Sequence, residues 1–273
     1  MMLLKSCLHS ALKPWLFGLT LTTVALSSEA SVTTEELTYS IDGKQYKGFM
    51  AYDDKKGKRP GVLVVHEWWG HNDYARDRAK QLAEQGYTAF ALDMYGNGKL
   101  ADHPKDAKAF MSEVTDNMAL AEQRFDKAYS LLQNSPFTQK DNISALGYCF
   151  GGAIVLHMAR TGRDLDAVFS YHGSLGSALA KPTTNIKAKV RVFTGQSDAM
   201  IPAQDVTAFT AEMFDAGADF SVQVYPGVQH SFTNQGADKV AKQFKLPLAY
   251  DAHADKDSWR QTMNLLDALY TKK

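Results

Sequence analysis

The sequence predicts an α/β fold in which a mostly parallel sheet is covered by helices on both faces. Two observations lead to this prediction. Short apolar segments typical of strands alternate with longer segments of helical periodicity along the 273 residues. Several of the apolar segments contain no polar residue, which is typical of parallel strands buried on both faces. No internal repeat and no linker interrupts the pattern, so we expect a single domain from residue 31 to residue 273.

The first thirty residues are expected to be a secretory signal peptide and not part of this domain. Lys5 and Lys13 are the only charges before residue 29, and residues 14–26 are apolar. This run is shorter than the roughly 18 residues of a membrane span. Small residues at Ser28 and Ala30 match a signal-peptidase site, so cleavage at or near Ala30 is expected. An uncleaved membrane anchor is the alternative interpretation. No later segment could span a bilayer, so we expect a periplasmic or secreted protein without membrane contact after cleavage.

We therefore expect the exported protein to begin near Ser31, because the peptidase reads the small residues just before that position. Mass spectrometry of the purified exported form measures this directly. A mature protein that still carries Met1 or Met2 contradicts the assignment.

The domain begins with two alternating runs, 36–41 and 45–51, joined by Asp42-Gly43, which predicts a β-hairpin. Apolar runs predict six further strands, at 61–65, 87–92, 143–148, 166–171, 188–195 and 220–225. Helical periodicity predicts helices at about 72–85, 104–132, 153–159, 202–216 and 256–270. Gly86 and Gly217 directly follow two of these helices, as expected of C-terminal caps.

Charge and cysteine content narrow the range of partners. The chain contains 30 Lys and Arg against 30 Asp and Glu, which argues against a nucleic acid or an anionic membrane as a partner. Of the two cysteines, Cys7 lies in the signal segment, so the mature protein has one thiol and no internal disulfide. A lone thiol in an oxidising compartment must be buried or used. Cys149 is therefore a candidate nucleophile, with a buried structural cysteine as the alternative.

The segment around Cys149 supports the nucleophile interpretation. A strand-like run, the sequence Gly147-Tyr148-Cys149-Phe150-Gly151 and a helical pattern follow one another. This is the setting of the G-x-S-x-G turn, which presents a nucleophile at the start of a helix, with a thiol in place of the serine hydroxyl. The neighbours two residues away must be small because the turn is tight. The helix N-terminus there favours a thiolate.

Four chemically competent residues follow predicted strands: Glu67, Cys149, Asp198 and His230. Ligands of such sheets bind at the carboxyl ends of the strands. The chain order of nucleophile, acid and histidine is that of a hydrolase triad. His230 would take the thiol proton and Asp198 would orient the imidazole. Taken singly, an Asp or His in a loop is more often a cap or a solvated side chain.

Together these residues resemble the dienelactone hydrolase family of α/β-hydrolases. The resemblance extends from about residue 35 to the C-terminus, and its motifs are residues 65–70, 93–95, 147–152, 195–198 and 230–232. It implies an α/β-hydrolase fold and a catalytic triad of Cys149, Asp198 and His230. It also implies that Glu67 holds the resting thiol neutral or takes its proton when substrate binds. The alternative is that Glu67 only caps the next helix.

The resemblance also implies an oxyanion hole and a substrate pocket. The backbone N–H groups of Trp68 and Phe150 would form the hole. Trp69, Tyr95 and Phe232 are expected to give the pocket apolar walls, although large aromatic residues are more often core residues. Asn234 stands where dienelactone-cleaving members carry an arginine that binds the substrate carboxylate. Because asparagine has no charge, dienelactone itself is an unexpected substrate.

We therefore expect a hydrolase that cleaves a small ester, lactone or thioester through an acyl-thioester, as a monomer or weak dimer. No cofactor is expected, and no metal, because the other histidines show no ligand-like spacing: His66, His71, His157 and His172. One alternative is a catalytically idle binding protein with the hydrolase fold. Another is a redox-sensing thiol protein, which the lack of a resolving cysteine disfavours.

Overall fold

A computed structural model describes residues 32–181 and 185–270, so the expected signal segment at residues 1–30 lies outside the described residues. The described strands are β1 Val32–Ile41, β2 Lys44–Asp53, β3 Arg59–Val65, β4 Thr88–Leu92, β5 Thr138–Tyr148, β6 Ala167–Tyr171, β7 Lys189–Gly195 and β8 Phe220–Tyr225. The described helices are α1 Asp73–Glu84, α2 Pro104–Thr115, α3 Met118–Gln133, α4 Phe150–Arg160, α5 Ala203–Asp215, α6 Ala237–Phe244 and α7 Ala252–Tyr270. Across these ranges, no helix combines the length and apolarity that crossing a membrane requires.

The eight strands form one sheet in the order β1-β2-β4-β3-β5-β6-β7-β8. The β1–β2 hairpin joins the sheet through an antiparallel pair with β4. All other neighbouring pairs are parallel. The prediction of a mostly parallel sheet is therefore confirmed. Because the parallel strands point the same way, the residues that follow them meet along one edge of the sheet.

The apolar residues of β3 show how the sheet is covered on both faces. Val62 and Val64 lie in one buried cluster with residues of α1 and α7. Leu63 and Val65 lie in the opposite cluster with residues of α3, α4 and α5. Successive side chains of a strand point to opposite faces, so an uninterrupted apolar run supplies both cores. All four side chains are completely buried, and each contributes about 1.5–3 kcal/mol to folding.

Two helices differ from the sequence prediction. The helix expected over 104–132 is broken into α2 and α3 at Asp116 and Asn117, which cap the adjoining helix ends. Asp and Asn disfavour helix interiors because their side chains compete for backbone hydrogen bonds. The sequence reading also missed α6, whose eight residues are too few to give a clear period.

Candidate active site

Cys149 lies on a strained turn between β5 and α4. Its backbone has φ 52° and ψ −114°, a conformation that costs a non-glycine residue about 1–3 kcal/mol. The Cys149 N–H donates to the carbonyl of Tyr171 at the end of β6, at 3.0 Å. A Cβ on Gly147 would lie 2.1 Å from the Gly151 carbonyl oxygen, so only glycine fits there. The half-buried thiol is thereby held at the N-terminus of α4.

His230 and Asp198 form a buried pair beside this thiol. Nδ1 of His230 lies 2.7 Å from Oδ2 of Asp198. The other carboxylate oxygen accepts the backbone N–H of Met200 at 2.8 Å, which fixes the orientation of the carboxylate. Burial opposes the charged imidazole, but the Cys149 thiolate and Asp198 outweigh it and raise the pKa of His230 to about 10. A hydrogen bond to the Cys149 side chain also contributes to the raised pKa of His230.

Glu67 follows β3 and is almost completely buried. The Ser231 hydroxyl donates to Oε1 at 2.9 Å, and the Asn234 amide donates to Oε2 at 2.7 Å. Burial raises the pKa of Glu67, although both hydrogen bonds and the charge of His230 act in the opposite direction. A carboxylate held by neutral donors in a dry environment can accept a proton more readily than an exposed one. Glu67 is therefore not a simple helix cap, because its oxygens contact the segment that follows His230.

The segment that carries His230 is anchored at Thr233. Arg78 of α1 donates to the Thr233 carbonyl at 2.7 Å, and the same nitrogen lies 2.6 Å from Asp255. The Thr233 hydroxyl lies 2.6 Å from the Tyr74 hydroxyl and 2.9 Å from Nε2 of His172. Removing one partner of a buried ion pair costs about 3–5 kcal/mol. The position of His230 therefore depends on a buried network that the sequence reading did not identify.

The two expected oxyanion-hole donors flank the turn. Trp68 lies in the loop that follows β3, and Phe150 is the first residue of α4. The Gly151 N–H donates to the His66 carbonyl at 3.1 Å, which ties the start of α4 to that loop. Among the backbone hydrogen bonds of turns, loops and caps in the described residues, none is donated by the Trp68 N–H or the Phe150 N–H. Both groups are therefore available to a ligand.

A cavity of about 340 Å³ opens beside Cys149 and His230. Its walls come mainly from apolar side chains of α2, α3, α4 and the loop after β7: Met111, Met118, Ile154, Met200 and Ile201. Thr115, Ser174 and His157 add polar groups. Among the described residues that line it, there is no Lys, Arg, Asp or Glu. The cavity can therefore enclose a small uncharged group next to the thiol.

The four residues expected in the pocket lie elsewhere. Tyr95 and Phe232 are core residues, exposed by 1% and 0%. The Tyr95 hydroxyl donates to the Trp68 carbonyl at 3.0 Å, and Phe232 packs against the His172 ring. Trp69 packs against Phe244 and, with Asn234, lines a second cavity that neither Cys149 nor His230 reaches. Their positions after strands suggested that they line the pocket. Their side chains point elsewhere, and sequence alone does not define side-chain direction.

Sequence reasoning missed the residues that do line the cavity. The methionines and Ile201 belong to three separate segments, and only the tertiary fold brings them together. Ser231 is different, because its position directly after His230 could have marked it as a candidate. Among the described residues, no group of three or more His, Cys, Asp or Glu side chains could hold a metal ion.

Comparisons with known proteins agree with the fold described above. Residues 46–270 match the model of the dienelactone hydrolase family. The chain is 29% identical to Protein usf of Aquifex pyrophilus, over 82% of this chain and 94% of that protein. It is 26% identical to a protein of Aquifex aeolicus provisionally named carboxymethylenebutenolidase, over 83% and 94% of the two chains. The crystal structure of a metagenomic dienelactone hydrolase-like promiscuous phosphotriesterase is similar, with TM-score 0.82, 32% identity and coverage of 88% and 99%.

The pairing of His230 with Asp198 leads to a prediction about proton affinity. Asp198→Asn removes the negative charge 2.7 Å from Nδ1, so the imidazolium loses stabilisation and the pKa of His230 falls below its value of about 10. NMR titration of the His230 ring measures this change. Asp205→Asn, in the first turn of α5, is the matched control and should leave the titration unchanged. An unaltered His230 titration in Asp198→Asn would show that the carboxylate does not stabilise the imidazolium.

Proposed function

Because this chain belongs to the dienelactone hydrolase family, and is thus a carboxylic ester hydrolase of the α/β-hydrolase fold, we propose that it works through a cysteine nucleophile. We propose that Cys149 attacks a small ester, lactone or thioester and carries the acyl group as a thioester. The observation that carries this proposal is the Asp198–His230 pair beside the thiol on its strained turn.

In the acylation step, the Cys149 thiol gives its proton to Glu67 as substrate binds, and the resulting thiolate attacks the carbonyl carbon of the substrate. The carbonyl oxygen becomes an oxyanion, which accepts hydrogen bonds from the N–H groups of Trp68 and Phe150. The tetrahedral intermediate collapses by breaking the bond to the leaving-group oxygen or sulfur. His230 donates its Nε2 proton to that atom. The raised pKa of His230 supports this role, because the ring carries a proton at neutral pH while the thiolate is present.

At the start of deacylation, the sulfur of Cys149 is part of the uncharged thioester, and His230 is neutral because it has given up its proton. Nε2 then takes a proton from water, and the resulting hydroxide attacks the thioester carbon. The carbon–sulfur bond breaks, the acid product leaves and the thiolate is restored beside a protonated His230. Glu67 then returns its proton to the sulfur. Asp198 stabilises the imidazolium in both steps and holds the ring in one orientation.

The cavity supports a preference for uncharged acyl groups. Its lining is mostly apolar and, among the described lining residues, contains no Lys or Arg to pair with a substrate carboxylate. The protonated His230 also lines the cavity, but it is already paired with Asp198. Asn234 cannot supply a positive charge either, because an amide is uncharged, and its nitrogen is already bound to Glu67. Met111, Met118 and Met200 can repack around substrates of different shape, because methionine side chains are flexible. We therefore propose neutral esters with short or medium acyl chains as the substrate class.

Hydrolysis of neutral phosphotriesters is a second candidate activity. The relative with 32% identity is described as a promiscuous phosphotriesterase. A neutral phosphotriester also suits a cavity whose described lining contains no Lys, Arg, Asp or Glu. The thiolate would attack phosphorus and displace an alkoxide or phenoxide, which takes the proton of His230. Water would then hydrolyse the phosphothioester.

We also propose that the protein is exported, on the basis of its N-terminal charge and apolar pattern. A periplasmic or secreted location would expose the enzyme to small esters outside the cytoplasm. The expectation of a monomer or weak dimer stays a prediction.

The first test is a hydrolysis screen with wild-type enzyme and Cys149→Ala. The panel contains p-nitrophenyl esters of increasing acyl length, a lactone, a thioester, an ester with a free carboxylate and a neutral phosphotriester. Cys149→Ala should lower kcat/KM by at least about a thousandfold, because the nucleophile is lost. Its Tm should change little, since the thiol is only partly buried and packs at the edge of the core. Neutral esters should react faster than the carboxylate-bearing ester.

Thr207→Ala, an exposed position on α5, serves as the control and should keep full activity. Mass spectrometry of a rapidly quenched reaction should show the acyl group on Cys149. Undiminished turnover by Cys149→Ala would rule out the thiol nucleophile.

The second test concerns Glu67 and the resting thiol. Glu67 and the Cys149 thiolate both stabilise the same imidazolium, so the carboxylate competes with the thiolate for it. Glu67→Gln removes this charge and can keep both hydrogen bonds, since the Ser231 hydroxyl can also accept. Alkylation of Cys149 by iodoacetamide should then speed up, because the thiolate is the reactive species. Ester hydrolysis should slow, because residue 67 can no longer take the proton of the Cys149 thiol when substrate binds.

Rates of the two reactions are measured on the same preparation at neutral pH. Exposed Glu36→Gln on β1 is the control and should change neither rate. A parallel fall of alkylation and hydrolysis in Glu67→Gln would identify Glu67 as a purely structural residue.

A further inference from the structure

The side chain of His66 lies at the end of β3 and is completely buried. Its Nδ1 lies 2.5 Å from the carbonyl oxygen of Glu67, and its Nε2 accepts the backbone N–H of Met94 at 3.1 Å. A nitrogen that accepts an N–H must carry a lone pair, so the ring proton is on Nδ1 and is donated to Glu67. Burial lowers the pKa of His66 against the opposing effect of this hydrogen bond, so the ring stays neutral. Both ring nitrogens are thus hydrogen-bonded to backbone groups.

The bond to the Glu67 carbonyl determines where the Trp68 N–H points. The peptide between Glu67 and Trp68 is planar and trans, so its C=O and N–H groups point in opposite directions. The carbonyl oxygen is held by His66 and also accepts the Gly70 N–H at 3.2 Å. Fixing this oxygen turns the Trp68 N–H to the other side of the peptide. That N–H is one of the two expected oxyanion donors.

The backbone of His66 holds the second donor. The Gly151 N–H donates to the His66 carbonyl at 3.1 Å, directly after Phe150 in the chain. The rings of Phe150 and His66 also pack together, with centroids 5.8 Å apart. His66 therefore positions both N–H groups of the hole. Its side chain orients the Trp68 N–H, and its backbone carbonyl locates the Phe150 N–H.

We propose that His66 is a positioning residue that builds the oxyanion hole by fixing the Glu67–Trp68 peptide, without contacting the substrate itself. This inference rests on the proposed function, since it concerns the oxyanion of the acylation step. Without the Nδ1 donor, the peptide loses its strongest tether and can rotate its N–H away from the hole. Loss of one oxyanion-hole donor costs about 100–1000-fold in rate.

Three substitutions separate the two hydrogen bonds of the ring. His66→Asn keeps an N–H near the position of Nδ1 but no acceptor for Met94. His66→Gln places an acceptor near the position of Nε2 but no donor at Nδ1. His66→Leu supplies neither. The acylation rate constant, measured in single turnovers of a neutral ester, should fall about 100–1000-fold in His66→Gln and His66→Leu. It should fall much less in His66→Asn, and substrate affinity should change little in all three.

Alkylation of Cys149 by iodoacetamide provides the second readout, because that reaction forms no oxyanion. It should stay within about twofold of the wild-type rate in His66→Asn and His66→Gln, since displacement at a saturated carbon needs only the thiolate. An equal loss of alkylation and acylation would overturn the proposal, because His66 would then support the thiol or the fold. The proposal would also be overturned if the acylation rates of the three variants correlated with their Tm values and not with the presence of a donor at the Nδ1 position. Failure of the proposed function looks different, because wild-type enzyme would then form no acyl group on Cys149.

Discussion

The backbone of α4 lies in direct contact with the backbone of β3, and the whole site depends on this contact. A Cβ on Gly151 would lie 2.2 Å from the Val65 carbonyl oxygen, so no larger residue fits without moving the helix or the strand. The contact lets the Gly151 N–H reach the His66 carbonyl. Two residues before Gly151, Cys149 has a strained conformation, and its N–H donates to the Tyr171 carbonyl of the sheet. The strain costs about 1–3 kcal/mol, and in return the thiol is held at the positive end of a helix.

Three acidic groups surround His230 and act on it in the same direction. Asp198, Glu67 and the Cys149 thiolate all favour its protonated form. Asn234 and Ser231 hold Glu67 through neutral donors, so burial dominates and the pKa of Glu67 is raised. An asparagine at position 234 therefore has two consequences. It offers no positive charge to a substrate carboxylate, and it leaves Glu67 able to take up a proton.

The break between α2 and α3 matters for the site as well as for the fold. Residues from the end of α2, Met111 and Thr115, and the first residue of α3, Met118, lie together in the cavity wall. Asp116 and Asn117 end one helix and start the next between them, which changes the direction of the chain at the cavity. Flexible methionines at such a junction suit a site that accepts several neutral groups.

The amino-acid sequence alone determined the α/β class, the strand order along the chain, the strained turn and the residues that share the sheet edge. These features follow from local rules, since apolar runs, glycine spacing and strand ends are visible without a partner segment. The tertiary structure alone decided which side chains meet. Tyr95 and Phe232 turned into the core, Asn234 turned to Glu67, and the cavity wall came from α2, α3 and the loop after β7. His66 shows the same limit, because its neighbours Met94 and Gly151 are distant in the chain. Side-chain direction depends on packing between segments far apart in sequence, and a local pattern carries no information about such contacts.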